Sequence, residues 1–120
     1  MDARVLIVDD SQYTVDMVGE ILSDDFEVVG ETGNGDEAVG MYEELSPDIV
    51  VMDLVISGTD GVTATARIKK QDPDATVLIL TSIDNRAKKR QAADAGADEY
   101  MKKPFDPEEL VETMHTLAEM

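Results

Sequence analysis

The sequence predicts an α/β fold with one parallel sheet and helices on both of its faces. Short apolar runs of strand length alternate with segments of helix length, and five such pairs fit into the 120 residues. Three of the runs are apolar at every position, which is typical of parallel strands that are buried on both sides. Strands and helices that alternate in this way form parallel sheets with helical crossover connections.

The strands are predicted by five apolar runs, of which the last is the weakest. They cover residues 5–8, 26–29, 49–52, 77–80 and 100–101. The first helix is predicted by the capping residue Ser11 and by apolar residues that follow at helical spacing. The last helix begins with an Asp106 cap, with Pro107 at its first position and Glu109 three residues after the cap.

The composition excludes several classes of protein. The chain has no cysteine, and its net charge of −17 disfavours binding to nucleic acids and to anionic membranes. No apolar run approaches the roughly 18 residues of a membrane span, and the first residues lack the layout of a signal peptide. We therefore expect a soluble, cytoplasmic, monomeric protein with a single domain over residues 1–120. The excess of acids is typical of a salt-adapted organism, and an acidic functional surface is the alternative.

Charged and polar side chains follow four of the predicted strands at the point where each strand ends. Asp9 and Asp10 follow the first strand, Asp53 the third, Thr81 the fourth and Lys103 the fifth. In open α/β sheets, ligands bind beyond the carboxyl ends of the strands. We therefore expect three carboxylates, a hydroxyl and an amine to lie together at one edge of the sheet.

A cluster of three carboxylates requires a cation. Two like charges about 4 Å apart cost about 4 kcal/mol even at an effective dielectric constant of about 20. Oxygen ligands without histidine or cysteine favour a hard divalent ion such as Mg²⁺. Such an ion neutralises phosphate oxygens, and an aspartate beside it can accept a phosphoryl group covalently. The cluster therefore indicates phosphoryl chemistry.

These residues resemble the receiver domain of the response regulators of two-component signalling. The resemblance covers residues 5–117, and it implies a doubly wound (βα)5, flavodoxin-like sandwich with a five-stranded parallel sheet. Each motif is weak alone, but five of them in order at the strand ends are highly specific. They are Val8-Asp9-Asp10-Ser11, Asp53 with Asp60-Gly61, Thr81-Ser82, Ala95-Gly96-Ala97-Asp98 and Lys103-Pro104-Phe105.

The resemblance also implies a role for each site residue. Asp53 accepts a phosphoryl group, Lys103 pairs with that group, and Thr81 moves in to donate a hydrogen bond to it. Tyr100 is the second switch residue and swings inward behind Thr81. The implied Mg²⁺ ligands are Asp9, Asp10, Asp53 and the backbone carbonyl of Val55.

A free-standing receiver without an output domain implies a signalling switch that is not an enzyme in the usual sense. Its phosphoryl donor would be a CheA-like histidine kinase, and its output partner a motor-switch or adaptor protein in chemotaxis. A phosphorelay intermediate or an adaptor outside chemotaxis is the alternative. We also expect a possible docking surface on the helix after Asn85, which carries four basic residues on an otherwise acidic chain. They are Arg86, Lys88, Lys89 and Arg90.

The chain departs from the family pattern in the loop after Asp53. The family usually has Met-Pro at the third and fourth positions after the acceptor aspartate, where this chain has Ile56 and Ser57, followed by Gly58. A stiff turn residue is replaced by flexible ones, so the sequence predicts a more mobile loop.

Three other functions fit the sequence less well. A flavodoxin-like FMN carrier needs a phosphate loop after the first strand, where Asp9 and Asp10 would repel a phosphate. A Mg²⁺-dependent phosphatase needs a second aspartate two residues after Asp53, where Val55 stands. Residues 33–38 match the G-x-G-x-x-A pattern of dinucleotide sites. Two acidic residues in that segment, at positions 36 and 37, would repel the pyrophosphate.

Overall fold

The computed structural model describes residues 2–120, which form five strands and five helices in strict alternation. The strands are β1 (Ala3–Val8), β2 (Phe26–Thr32), β3 (Ile49–Met52), β4 (Val77–Thr81) and β5 (Glu99–Lys102). The helices are α1 (Gln12–Leu22), α2 (Gly35–Leu45), α3 (Gly61–Gln71), α4 (Arg86–Ala95) and α5 (Pro107–Ala118). Each predicted strand is present at its predicted place, so the (βα)5 prediction is confirmed.

The five strands form one parallel sheet in the order β2-β1-β3-β4-β5. Strand β3 lies at the centre, and β1 lies between β2 and β3. The direction in which strands are added changes between β1 and β3. Strand β2 is added on one side of β1, and strands β3, β4 and β5 are added in turn on the other side. Ligands of doubly wound sheets bind beyond the carboxyl ends of the strands at this point.

The core has two layers, one on each face of the sheet. Successive residues of β1 alternate between the layers, with Val5 and Ile7 on one side and Leu6 and Val8 on the other. The first layer packs against α1 and α5, and the second packs against α2, α3 and α4. All four of these β1 residues are at most 1% exposed, which explains why the strand sequence is apolar at every position.

Each helix begins at a polar capping residue, and this fixes where each loop at the carboxyl edge of the sheet ends. The five caps accept hydrogen bonds from backbone N–H groups in the first turn of their helices. They are Ser11, Asn34, Asp60, Asn85 and Asp106. The sequence predicted the first and last of them, and both predictions are confirmed.

The helices are short relative to a membrane. Each spans 10 to 12 residues. Across residues 2–120 we find no helix with the length and apolar character needed to cross a bilayer.

The two methionines of the last segment provide a direct test of the core. Met114 is fully buried between α5 and the sheet, whereas Met120 is 77% exposed. We expect Met114→Ala to lower the free energy of unfolding by about 2–5 kcal/mol, because it leaves a cavity in a packed layer. The matched variant Met120→Ala should change it by less than about 0.5 kcal/mol. Urea unfolding followed by circular dichroism measures both, and equal effects would contradict the assignment of α5 to the core.

Candidate functional site

The sheet itself positions the charged residues that the sequence placed at the strand ends. The backbone N–H of Asp53 donates to the carbonyl of Val8 at 2.9 Å, and that of Asp9 donates to the carbonyl of Thr32 at 2.9 Å. The N–H of Lys103 donates to the carbonyl of Thr81 at 2.8 Å. Each residue therefore extends the backbone ladder by one step, so its side chain has a defined direction.

The centre of the site is an ammonium group held between two carboxylates. Lys103 Nζ lies 2.6 Å from Asp9 Oδ2 and 2.9 Å from Asp53 Oδ2. The side chains of Asp9 and Asp53 are 5% and 11% exposed, and that of Lys103 is 18% exposed. Charges this far removed from water are screened weakly, so these pairs matter more than an ion pair on the surface. The structure thus brings together three residues that lie 44 or more positions apart in the chain.

The pKa of Lys103 reflects this arrangement. Burial favours the neutral amine and by itself would lower the pKa. The hydrogen bonds and negative charges of Asp9 and Asp53 outweigh the burial, and the net result is a pKa raised above its ordinary value of 10.5. Lys103 is therefore fully charged at neutral pH.

Asp9 and Asp53 use their second oxygens to fix the local backbone. Asp9 Oδ1 accepts a hydrogen bond from the N–H of Ser11 at 2.9 Å, and Asp53 Oδ1 accepts one from the N–H of Val55 at 3.3 Å. The site therefore holds the starts of two loops as well as the lysine. Asp10 follows Asp9 directly and is exposed.

A divalent cation fits this set of donors by charge and by chemistry. The carboxylates of Asp9, Asp10 and Asp53 and the ammonium of Lys103 together leave two negative charges, which one divalent ion balances. Carboxylate oxygens are the ligands that Mg²⁺ prefers. Within residues 2–120 no three carboxylate or imidazole groups converge as a preformed metal site, and the lysine instead contacts two of the three aspartates.

Thr81 stands at the end of β4 and is fully buried. Its hydroxyl accepts a long hydrogen bond of 3.4 Å from the N–H of Ile83, and no hydrogen bond joins it to Asp53. The structure therefore brings Thr81 to the correct edge of the sheet, with its side chain engaged by the loop that leads into α4.

Tyr100 lies half-buried on the neighbouring strand β5. Its hydroxyl donates a hydrogen bond of 2.6 Å to the carbonyl of Ile83, and Lys89 Nζ lies 5.8 Å from the centre of its ring. Burial raises the pKa of Tyr100, and the charges of Asp84 and Asp53 raise it further. The Tyr100 side chain is therefore joined to the loop that follows Thr81.

Three of the four basic residues of α4 are exposed and Lys88 is half-exposed, and they differ in their contacts. Lys89 forms an ion pair of 3.0 Å with Asp84, which also pairs with Lys102 at 3.3 Å. Lys88 Nζ donates to Gln91 Oε1 at 3.3 Å. Asp84 was not predicted from the sequence, because its ion pairs depend on the loop that turns it toward two lysines. The only indication in the sequence was that this carboxylate lies close to the basic residues of α4.

The loop after Asp53, which the sequence predicted to be more mobile, is hydrogen-bonded to a neighbouring loop. Ser57 N–H donates to the carbonyl of Gly33 at 3.0 Å, and Gly35 N–H donates to the carbonyl of Ser57 at 2.9 Å. This short parallel bridge ties the loop to the start of α2. A proline at position 57 could not donate the first of these bonds. Compared with proline, Ser57 therefore gives the loop a less rigid backbone but adds a hydrogen bond to a neighbouring loop.

The G-x-G-x-x-A segment serves this bridge and the cap of α2. Asn34 Oδ1 accepts the N–H groups of Asp36 and Glu37, at 2.8 and 3.0 Å. The donors that would bind a pyrophosphate are therefore already engaged by the chain itself, in agreement with the rejection of a dinucleotide site.

Comparison with known proteins gives a consistent result. Residues 5–115 match the family model of the response regulator receiver domain. The chain is 42% identical to the chemotaxis protein CheY of Halobacterium salinarum over 114 residues, which cover 95% of each chain. It is 39% identical to the chemotaxis protein CheY of Thermotoga maritima, over 98% of this chain and 99% of that protein.

Among solved structures, the complex of CheX, CheY, BeF3 and Mg²⁺ from Borrelia burgdorferi contains a chain that superposes on this one with a TM-score of 0.91. The two chains are 28% identical, and the match covers 96% of this chain and 88% of that one. The whole sheet and its five helices are therefore shared, in agreement with the fold prediction.

Replacement of Lys103 tests the electrostatics of the site. We expect Lys103→Met, without added divalent ions, to lower the free energy of unfolding at pH 7 by about 1–3 kcal/mol, because two buried carboxylates lose their partner. The pKa of Lys103 is raised by folding, so its contribution is complete below pH 10.5 and is lost as the pH rises through the higher folded value. Between pH 7 and 11, the difference in the free energy of unfolding between wild type and variant should therefore shrink only at the alkaline end.

Lys102→Met is the matched control, since Lys102 is adjacent and exposed and pairs with Asp84 at the surface. It should cost less than about 1 kcal/mol. Urea unfolding from pH 7 to 11 in a chelating buffer measures all three proteins. An equal loss in the two variants at pH 7 would contradict the site as described.

Proposed function

The chain belongs to the response regulator receiver family, and we propose that it is a switch of two-component signalling that accepts a phosphoryl group on Asp53. The observation that supports this most is the Lys103 ammonium, 2.9 Å from the Asp53 carboxylate and 2.6 Å from that of Asp9. Such a carboxylate is fixed in direction and lies beside a cation. It is therefore prepared to attack phosphorus, since the cation balances the charge that the phosphoryl oxygens bring.

The transfer itself conserves atoms and charge. An oxygen of the Asp53 carboxylate forms a bond to the phosphorus of a phosphohistidine on the kinase, while the bond between phosphorus and the imidazole nitrogen breaks. The electron pair of that bond returns to the imidazole nitrogen, and the ring leaves as neutral imidazole because its other nitrogen carries a proton. The product is an acyl phosphate on Asp53, and Lys103 then has phosphoryl oxygens as new partners in place of a carboxylate.

We propose Mg²⁺ as the cofactor of this step. The residues that would hold it are Asp9, Asp10, Asp53 and the backbone carbonyl of Val55. When bound, the ion would neutralise charge on the phosphoryl oxygens. The Borrelia burgdorferi complex of CheX and CheY, one chain of which shares this fold, contains BeF3 and Mg²⁺.

The output would arise through Thr81 and Tyr100. The Thr81 hydroxyl has only a long bond of 3.4 Å to Ile83 N–H, so it is free to exchange that partner for a phosphoryl oxygen. The Tyr100 hydroxyl binds the carbonyl of the same Ile83. A movement of Thr81 would therefore change the loop that holds Tyr100, and with it the surface formed by α4 and β5.

We propose a chemotaxis role in the cytoplasm, because CheY proteins match this chain over nearly the whole length of both proteins. The phosphoryl donor would be a CheA-like histidine kinase, and the output partner a motor-switch or adaptor protein. A phosphorelay intermediate or an adaptor outside chemotaxis is the second candidate, since the chemistry at Asp53 would be the same.

Phosphoryl uptake tests the proposal. Incubation with acetyl phosphate and Mg²⁺ should add one phosphoryl group to the wild type, detected by intact-protein mass spectrometry at high potassium chloride. Omission of Mg²⁺ should reduce the uptake by about a hundredfold or more, because the repulsion between carboxylates and phosphate is no longer balanced. Asp53→Asn should show no adduct.

The control is Asp94→Asn, which removes an exposed carboxylate on α4 and should leave the uptake unchanged. Absence of the adduct in folded wild type would refute the proposed chemistry. An adduct that persists in Asp53→Asn would place the acceptor at another residue.

The basic surface of α4 gives a prediction about partners. Arg90 is exposed, and the partner that donates or receives the signal should carry acidic residues opposite it. We expect Arg90→Glu to lower the association rate constant with the cognate kinase by about threefold or more at low salt, because charges at the rim of an interface steer encounter. Lys70→Glu, an equal charge reversal on exposed α3, is the control. Surface plasmon resonance at two salt concentrations measures both, and equal effects would refute a docking role for α4.

A further inference from the structure

Two loops at the carboxyl edge of the sheet are joined by hydrogen bonds of their backbones and side chains, outside the group of Asp9, Asp53 and Lys103. One is the acceptor loop, residues 53–60, which carries Asp53. The other is the strap, residues 33–36, which connects β2 to α2. Their backbones form the parallel bridge between Asn34 and Ser57, with hydrogen bonds of 3.0 and 2.9 Å.

A layer of side chains reinforces this bridge on its exposed side. Asp36 Oδ1 accepts a hydrogen bond of 2.6 Å from the Thr59 hydroxyl, and Asp36 Oδ2 accepts one of 3.3 Å from the Thr59 N–H. Arg67 of α3 donates to both Asp36 and Thr59, at 3.1 Å each. The hydrogen bonds from Thr59 and the charge of Arg67 lower the pKa of Asp36, so this carboxylate stays charged well into the acid range.

The two loops also approach so closely that glycine is required at the contact. A Cβ atom at Gly35 would overlap the carbonyl oxygen of Thr59. Gly58 has a φ of +69°, and a Cβ there would lie 2.8 Å from Asp36 Oδ2. Each loop thus presents a glycine to the other, and a side chain at Gly35 would push the backbones apart.

Apart from the strap, few hydrogen bonds hold the middle of the acceptor loop, where Leu54 is buried in the second core layer and Ile56 packs against that layer. Its start is held by the bond from Asp53 N–H to Val8, and its end by the bond of 3.0 Å from Gly61 N–H to the carbonyl of Leu54. Between these points, the backbone of Val55 has one long bond to the Asp53 side chain. The strap therefore supplies the hydrogen bonds that fix the acceptor loop at Ser57 and Thr59.

We propose that Gly35, Asp36 and Thr59 are positioning residues that hold the acceptor loop in the geometry that binds the divalent ion beside Asp53. This inference rests on the proposed function and adds a residue set to it. The strap performs the task that a stiff residue at position 57 would otherwise perform. Groups that orient metal ligands through backbone and hydrogen bonds change metal affinity by about 10–100-fold when they are removed.

The first test separates the loops sterically. Gly35→Ala should raise the Mg²⁺ dissociation constant by about tenfold or more in isothermal titration calorimetry. Gly40→Ala is the matched control, because Gly40 lies on the same helix and a Cβ there meets no atom within 4 Å. It should leave the Mg²⁺ affinity unchanged. The Mg²⁺ concentration that gives half the maximal rate of phosphorylation by acetyl phosphate should rise in parallel, while the rate at saturating Mg²⁺ stays within about twofold.

The second test removes one hydrogen bond and then restores it. Thr59→Val lacks the hydroxyl that binds Asp36 and should weaken Mg²⁺ binding, whereas Thr59→Ser keeps the hydroxyl and should restore it. Thr116→Val controls for the loss of a threonine hydroxyl at a distance, because that group binds the Glu112 carbonyl of its own helix. Melting temperatures without Mg²⁺ are measured for all variants, since a purely structural role would lower these and leave the Mg²⁺ affinity unchanged.

The outcomes separate this inference from the proposed function. If wild type is phosphorylated and Gly35→Ala binds Mg²⁺ as Gly40→Ala does, the strap has no positioning role and the proposed function stands. If wild type takes up no phosphoryl group, the proposed function fails and the inference fails with it. If Gly35→Ala does not fold, the comparison of Thr59→Val with Thr59→Ser decides the question, and equal Mg²⁺ affinities for that pair would overturn the inference.

Discussion

The site depends on one lysine that two buried carboxylates hold in place. Lys103 Nζ contacts Asp9 and Asp53 at hydrogen-bond distance, and all three side chains are largely withdrawn from water. Removal of the ammonium would leave two carboxylates facing each other in a region of low screening. The lysine can be released only when another cation takes its place or another anion attracts it. Phosphoryl transfer in the presence of Mg²⁺ would supply both at once, which is why we regard this triad as the centre of the switch.

The rest of the fold places these groups and transmits their movement. The parallel sheet places Asp9, Asp53 and Lys103 at one edge, because each of them comes directly after its strand and extends the strand's backbone hydrogen bonding by one residue. The loop after β4 connects that edge to the surface, since the same Ile83 binds both Thr81 and Tyr100. On the other side of Asp53, the strap restrains the backbone. Asp53 thus lies between the loop that contacts Tyr100 and the strap that contacts its own loop.

Much of this could be predicted from the sequence, because the strands are buried on both faces and so have continuously apolar sequences. Once the strands are known, their ends predict which charged residues meet. The contacts between loops could not be predicted in the same way. From the sequence, Ser57 indicated only a loss of stiffness in its loop. Its hydrogen bond to Gly33 could not be predicted, because the two loops are distant in sequence and adjacent only in space. The hydrogen-bond partner of Tyr100 could not be predicted either, because it is the backbone carbonyl of Ile83, and every residue type has such a carbonyl.

A crystal structure of this chain with beryllofluoride and Mg²⁺ would show whether Asp53 and Lys103 form a phosphoryl site, because it reports the partners of Lys103 when Asp53 carries a phosphoryl mimic. The account predicts beryllofluoride on Asp53, with Lys103 Nζ bound to fluorine and Mg²⁺ beside Asp9 and Asp10. It also predicts that the Thr81 hydroxyl has left Ile83 for the beryllofluoride. If the triad remains closed, with Lys103 still bridging Asp9 and Asp53 in crystals grown at saturating beryllofluoride and Mg²⁺, the site is a structural ion pair and the account is wrong.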